Sequence, residues 1–335
     1  MSTQLILVFI IIGVALTFDF LNGFHDAANS VATVVATRVL TPLQAVVWAA
    51  FFNFVSAFTF GTGVAKTVGA GMVDLRAITP YVVLCGLLGA ITWDLITWWF
   101  GLPTSSSHAL FGGYAGAAIA RVGTISVLIW SGWIKTIVFM VLAPIIGLIA
   151  AYVIMTAVYW LFRNTTPKKM DTHFRRLQLL SAAAFSFSHG TNDAQKTMGI
   201  ITGMLVTAKF LPTFEVPKWV ILAAGAAIGL GTLFGGWRII HTMGSRITKL
   251  KPRGGFCAES AAATSILIST AVGVGVSTTH VITGAITGVG SIQRLKAVRW
   301  GVATNIVWAW VLTIPAAAVV SWVAYTLFYT CGFDR

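Results

Sequence analysis

The sequence predicts an all-α polytopic membrane protein, built as two inverted-topology repeats with broken helices and paired re-entrant half-helices. Three observations predict it. Of 335 residues, 57% are hydrophobic and 9% are charged, against about a quarter charged in a soluble domain. A polar motif embedded in apolar sequence occurs twice, once in each half. The basic residues gather in short segments between apolar runs, which is the positive-inside bias.

The first element, about 4–38, is an apolar run with Asn22-Gly23-Phe24-His25-Asp26-Ala27-Ala28-Asn29 in its middle. No basic n-region precedes it, so it does not read as a signal peptide. Glycine ahead of the aspartate predicts a backbone break. A broken helix would expose carbonyls to a cation and N–H groups to an anion. A full span follows at about 42–66. Two short apolar stretches then flank a Ser/Thr-His loop over about 78–121, and a last span at about 134–162 closes the half.

The second half repeats this order: an interrupted helix (about 178–207), a full span (218–240), a short pair (256–290) and a closing span (301–329). If each short pair enters and leaves on one side, each half makes three net crossings. An odd number inverts the second half, the usual plan of secondary transporters. The repeats are therefore 1–162 and 178–335, joined by a basic linker at 163–177.

Orientation follows from charge. Arg163–Arg176 holds five Lys/Arg, His241–Gly255 four and Ser291–Trp300 three. These belong in the cytoplasm, and both termini outside. The net charge of +13 is accounted for by these loops, so nucleic acid is not an expected partner. Membrane lipid is, and homo-oligomerisation is compatible with the sequence. Cys85, Cys257 and Cys331 show no metal or disulfide spacing and read as small packing residues.

Two constellations carry chemistry. In the first, Phe18 to Ala27 aligns with Phe185 to Ala194 at a single offset, with Phe, Phe, Gly, Asp and Ala coinciding. This is a duplication. It yields Asp26 and Asn29 in one half, and Asn192, Asp193 and Lys196 in the other. An ionisable side chain inside a span costs at least about 2.5–3.5 kcal/mol, so several together imply a wet cavity or bound ions. Asp26 and Asn29, like Asp193 and Lys196, are three apart and share a helical face.

In the second, Ser105-Ser106-Ser107-His108 matches Ser277-Thr278-Thr279-His280, each ahead of a short Gly-rich helix. Hydroxyls and free N–H groups at a helix start suit a tetrahedral oxyanion. Two such ends facing each other would enclose one anion. Helix capping is the plainer role for the same residues. His108 and His280 are proton-carrier candidates or orienting groups.

Among the remaining acids, Glu259 is an ion-ligand or proton-carrier candidate. Asp19 would pair with Lys196 or a histidine. Asp94, among Trp93, Trp98 and Trp99, reads as part of an interfacial belt. No GxSxG, HExxH or GxxxxGK[ST] motif is present, so the chain is not expected to be an enzyme.

With these residues in place, the sequence resembles the inorganic phosphate transporter (Pit) family over nearly its whole length. The resemblance rests on Gly23–Asn29 and Gly190–Lys196, on the loops 103–108 and 275–280, and on Arg238–Gly244 and Gly255–Glu259. It is strongest to bacterial low-affinity permeases. It implies cation-coupled symport of inorganic phosphate by alternating access, with no resident cofactor or metal. By position, Asp26, Asn29, Asn192 and Asp193 would belong to the central site, Ser105–Ser107 and Ser277–Thr279 to the phosphate pocket, and Glu259 to a cation site. Two departures bear on coupling. Asn53 stands where sodium-coupled relatives carry an acid, and Lys196 where the signature carries Asn. Both favour protons over sodium, or carriage of a neutral divalent metal–phosphate complex. A sulfate permease of the same fold and an anion channel are the alternatives. Carboxylates that accept a hydrogen bond from phosphate would repel sulfate.

Overall fold

The computed structural model describes residues 3–59, 61–293 and 295–334. Met1, Ser2, Arg335 and Arg294 of the third basic segment lie outside the described residues. In chain order the α-helices are α1 Thr3–Ala36, α2 Pro42–Val55, α3 Gly63–Gly71, α4 Pro80–Phe100, α5 Ser106–Val122, α6 Trp130–Leu161, α7 Pro167–Thr207, α8 Lys218–Phe234, α9 Trp237–His241, α10 Pro252–Ala271, α11 Thr278–Gln293 and α12 Trp300–Thr330. Among the described residues, four helices are long and apolar enough to cross a membrane, α1, α4, α6 and α12, and up to six spans result if each bent pair counts as one. The chain is an integral membrane protein. A helix satisfies its own backbone groups, which lipid requires of any spanning segment.

The core is two apolar clusters with a polar layer between them. One holds Val8, Ile11, Val82, Ala117, Met204 and Tyr325. The other holds Val34, Ala45, Met155, Phe174, Cys257 and Val289. Helix α1 runs from the first cluster to the second, and α7, its counterpart, from the second to the first. The same reversal relates α6 to α12. The hairpin α4–α5 leaves the first cluster and returns to it, while α10–α11 does the same at the second.

The halves interlock. Helix α1 packs on α8 and α7 on α2, while α5 packs on α12 and α11 on α6. Each of these contacts has its counterpart in the other half. Interior prolines sit at matching places, Pro144 in α6 and Pro315 in α12.

Three expectations change. First, α1 and α7 run unbroken through their polar motifs. Their glycines serve close approach instead. A Cβ at Gly23 would lie 2.9 Å from the Ile228 Cα, and one at Gly190 2.8 Å from the Asn53 Cα. Second, the breaks fall in the elements read as full spans. Helices α2 and α3 are bent by 83°, and the α8 and α9 segments by 63°. The second break uses Gly235 at φ +64°, a conformation that glycine adopts without strain. Third, most of the basic linker is helix. With Pro167 in its first turn, where a missing N–H costs nothing, α7 includes residues 167–177.

Asp94 is buried, 2% exposed, and so is no part of an interfacial belt. Cys85 and Cys257 are buried and free, but Cys331 is exposed and does not pack.

Candidate functional site

The polar layer forms where the middles of α1 and α7 meet the tips of both hairpins. Ser105 and Ser277 start the second helix of each hairpin, and their hydroxyls accept from the His108 and His280 amides, each at 3.3 Å. These two serines therefore cap. The next residues turn inward.

Lys196 Nζ donates to Ser107 Oγ at 2.5 Å and to the Val276 carbonyl at 2.9 Å. Its counterpart Asn29 donates to Thr279 Oγ1 at 2.9 Å. Each long helix thus holds the hairpin tip of the opposite half. Asp193 Oδ1 lies 2.5 Å from Lys196 Nζ, and its Oδ2 accepts from Thr278 Oγ1 at 3.2 Å. Asp26 Oδ1 accepts from Thr279 Oγ1 at 3.4 Å and lies 3.1 Å from His25 Nδ1. The two rings at the tips meet face to edge, His108 to His280 at 4.8 Å, and His280 stacks on Trp310 at 3.7 Å.

His189 links the two aspartates. Its Nε2 is 3.2 Å from Asp193 Oδ2 and 3.9 Å from Asp26 Oδ2, while its Nδ1 is 3.2 Å from Asn53 Oδ1. One ligand atom each from Asp26, His189 and Asp193 falls within 4.8 Å of the others. Such an oxygen and imidazole set suits a first-row divalent cation. One lysine does not neutralise two carboxylates, so an anion enters this centre favourably only with further positive charge.

Asn192 stands aside from the centre. It donates to Thr270 Oγ1 at 2.8 Å and accepts from the Val276 amide at 3.3 Å, tying the α10–α11 connection. Its counterpart His25 does the same for α4–α5, with Nε2 at 3.1 Å from Thr97 Oγ1 and 3.4 Å from Thr104 Oγ1.

Glu259 forms a separate site. Its carboxylate accepts from Thr33 Oγ1 at 2.5 Å, from Gln178 Nε2 at 3.0 Å and from Ser181 Oγ. Thr37 Oγ1 donates to Gln178 Oε1 at 2.9 Å. Thr33 is two helical turns from Asp26, roughly 10 Å along α1. A line of buried polar groups therefore leads from the centre toward the basic segments. At the offset that aligns Phe18 with Phe185, the counterparts of Thr33, Thr37 and Gln178 are Ile200, Met204 and Ile11, all buried in the first cluster. These three polar groups thus have apolar counterparts, whereas the buried polar groups on the other side of the centre are Asp19, Asn22, Thr197 and Thr202.

Asp19 pairs neither with Lys196 nor with a histidine. Both its oxygens, like both of Asp94, are buried without a hydrogen-bond partner among the described residues. Lys196 is already engaged by Asp193, Ser107 and Val276. Of the residues singled out in sequence, the structure brings Asp26, Asn29, Asp193, Lys196, Ser107, Thr278, Thr279, His108 and His280 together. Sequence reasoning passed over His189, although its four-residue spacing to Asp193 puts both on one face. Thr33, Gln178 and Ser181 carry no sequence signal, because only tertiary packing brings them to Glu259.

The chain is similar over nearly its whole length to proteins described as phosphate transporters. A sequence model described as the phosphate transporter family matches residues 22–321. A protein of Rhizobium meliloti (strain 1021), described as "Probable low-affinity inorganic phosphate transporter", is 55% identical over 316 residues, covering 94% of each chain. A protein of Bacillus subtilis (strain 168) with the same description is 45% identical over 328 residues, covering 97% of this chain and 98% of its own. A solved structure described as "The sodium-dependent phosphate transporter" superposes with a TM-score of 0.89 at 27% identity, over 97% of this chain and 99% of that one.

Proposed function

The chain belongs to the phosphate transporter family, and we propose that it is a secondary transporter that moves inorganic phosphate with protons by alternating access between two inverted halves. It is not an enzyme. The reversed sense of α1 against α7 between the two clusters supports the inversion. Phosphate sits between the hairpin tips, where Ser107, Thr278 and Thr279 donate from both sides.

The observation that carries this reading is the charge of the centre. Asp26 and Asp193 face one buried cation, Lys196, across a site whose other polar groups are hydroxyls, amides and imidazoles. A carboxylate can accept from protonated phosphate but not from sulfate. Lys196 supplies a positive charge that a bound metal ion would otherwise bring. The remaining charge arrives as a proton, with Asp26, His189 and Glu259 as carriers. Asn53, hydrogen-bonded to His189 and donating to Thr232 Oγ1 at 2.9 Å, adds no carboxylate for sodium. The basic segments lie in the cytoplasm and both termini outside.

A second reading rests on the Asp26, His189 and Asp193 cluster. Phosphate would enter as a neutral divalent metal complex, with these three residues holding the metal as cargo.

The test is uptake of radiolabelled phosphate into proteoliposomes of the full chain, with excess sulfate as competitor. Saturable uptake against a gradient, untouched by sulfate, supports the proposal. Strong sulfate competition would make it a sulfate permease, and non-saturable flux an anion channel.

A further inference from the structure

On the side of the basic segments, the end of α4 and the turn after α8 enclose a groove of about 420 Å³ outside the central site. Trp99, Trp237, Arg238, His241, Thr242 and Arg246 line it, and no carboxylate does. Neither arginine is in an ion pair among the described residues. Arg238 is nonetheless fixed. Its Nη1 donates to the Trp99 carbonyl at 2.6 Å, and its guanidinium carbon lies 4.4 Å over the Trp99 ring and 5.2 Å over that of Trp98. Stacking holds the planar group in place while leaving most of its five N–H donors for a ligand.

Arg246 closes the groove from a single π-helical turn, Thr242–Arg246. Such turns displace side chains from the regular helical face and recur at functional sites. The floor is joined to the first hairpin, because Thr242 Oγ1 donates to the Gly101 carbonyl at 2.9 Å. Gly101 opens the connection that leads to Ser105.

We infer that this groove binds a phosphate group between Arg238 and Arg246, with His241 beside them. Two guanidinium groups outside any ion pair among the described residues, one of them stacked on aromatic rings, match the charge and geometry of a phosphate oxyanion. That group comes either from an anionic lipid or from free inorganic phosphate on its way to or from the hairpin tip. The second source rests on the transport reading, whereas the first does not.

Two titrations of the purified full chain separate the sources, each with wild type, R246Q, R246K and the R238Q/R246Q double variant. Native mass spectrometry follows a short-chain phosphatidylglycerol, with the matching phosphatidylcholine as neutral control. Scintillation-proximity binding follows radiolabelled inorganic phosphate. Arg246 is exposed, so R246Q should fold, as an unchanged thermal midpoint would verify. If the ligand is lipid, R246Q weakens phosphatidylglycerol binding by about fivefold, the contribution of one basic residue beside anionic lipid, and phosphatidylcholine is unaffected. If it is free phosphate, R246Q weakens a phosphate-binding phase and leaves both lipids unchanged. In either case R246K keeps part of the effect. Equal affinity of wild type and the double variant for phosphatidylglycerol and for phosphate would overturn the inference. Preserved phosphatidylglycerol selectivity in a chain that carries no phosphate would contradict the proposed function and leave the groove assignment standing.

Discussion

Lys196 Nζ lies 2.5 Å from Asp193 Oδ1, with both side chains buried and three residues apart on α7. In the other half the same two places hold Asn29 and Asp26, and no cation. The duplicated motif thus carries a lysine on one side only. That asymmetry bears most directly on what must accompany the anion.

Removing the lysine should expose its role. Lys196→Asn, which copies Asn29, leaves the buried Asp193 with only His189 and Thr278 beside it; removing one partner of a buried ion pair costs about 3–5 kcal/mol. The thermal midpoint in detergent should fall, and phosphate uptake should be lost. Adding Asp193→Asn should restore the midpoint without restoring uptake. If K196N alone kept its stability and transport, the pair would be incidental.

The serines and threonines at the tips divide into two roles. Ser107→Ala with Thr279→Ala removes two donors that face the centre. Each hydrogen bond to a charged group contributes about 1.5–3 kcal/mol, so half-saturation for phosphate should rise by roughly tenfold or more. Ser105→Ala removes a cap, which costs about 1 kcal/mol of stability, and should leave half-saturation unchanged. The two readouts are uptake kinetics and thermal unfolding.

Glu259 is buried and accepts from Thr33, Gln178 and Ser181. In Glu259→Gln the neutral amide keeps the shape of the site but carries no proton. Net uptake driven by a pH gradient should disappear while exchange of internal for external phosphate persists. Loss of both activities would place Glu259 in the phosphate site or in the fold rather than in coupling.

Gly190→Ala tests the helix approach. The added methyl would meet the Asn53 backbone and Ser56 Oγ, with Ser56 at 2.5 Å. Overpacking of this kind costs about 1–3 kcal/mol. The yield of folded protein and the thermal midpoint should both drop. An unchanged midpoint would mean that α2 and α7 separate freely.

Much of this molecule could be read from its sequence, because a duplicated motif marks both halves and polar residues inside apolar runs mark the centre. Asp26, Asp193 and the two Ser/Thr-His loops follow from that pattern. The breaks did not. Gly23 and Gly190 look like interruptions, yet they serve contact with Ile228 and Asn53, and a sequence does not say which neighbour a glycine will meet. The Gly235-Gly236 pair was the better break signal and lay inside a run read as continuous. The donors around Glu259 come from α1 and α7, far apart in the chain, so no local pattern could assemble them.

The most direct test of the account is phosphate uptake into proteoliposomes under an inward proton gradient and, separately, an inward sodium gradient, in metal-free buffer. Concentrative uptake with the proton gradient alone, and none with sodium alone, is the expected result. Uptake that needs sodium, with the proton gradient ineffective, would contradict the assignment of Lys196 as the built-in cation of the site.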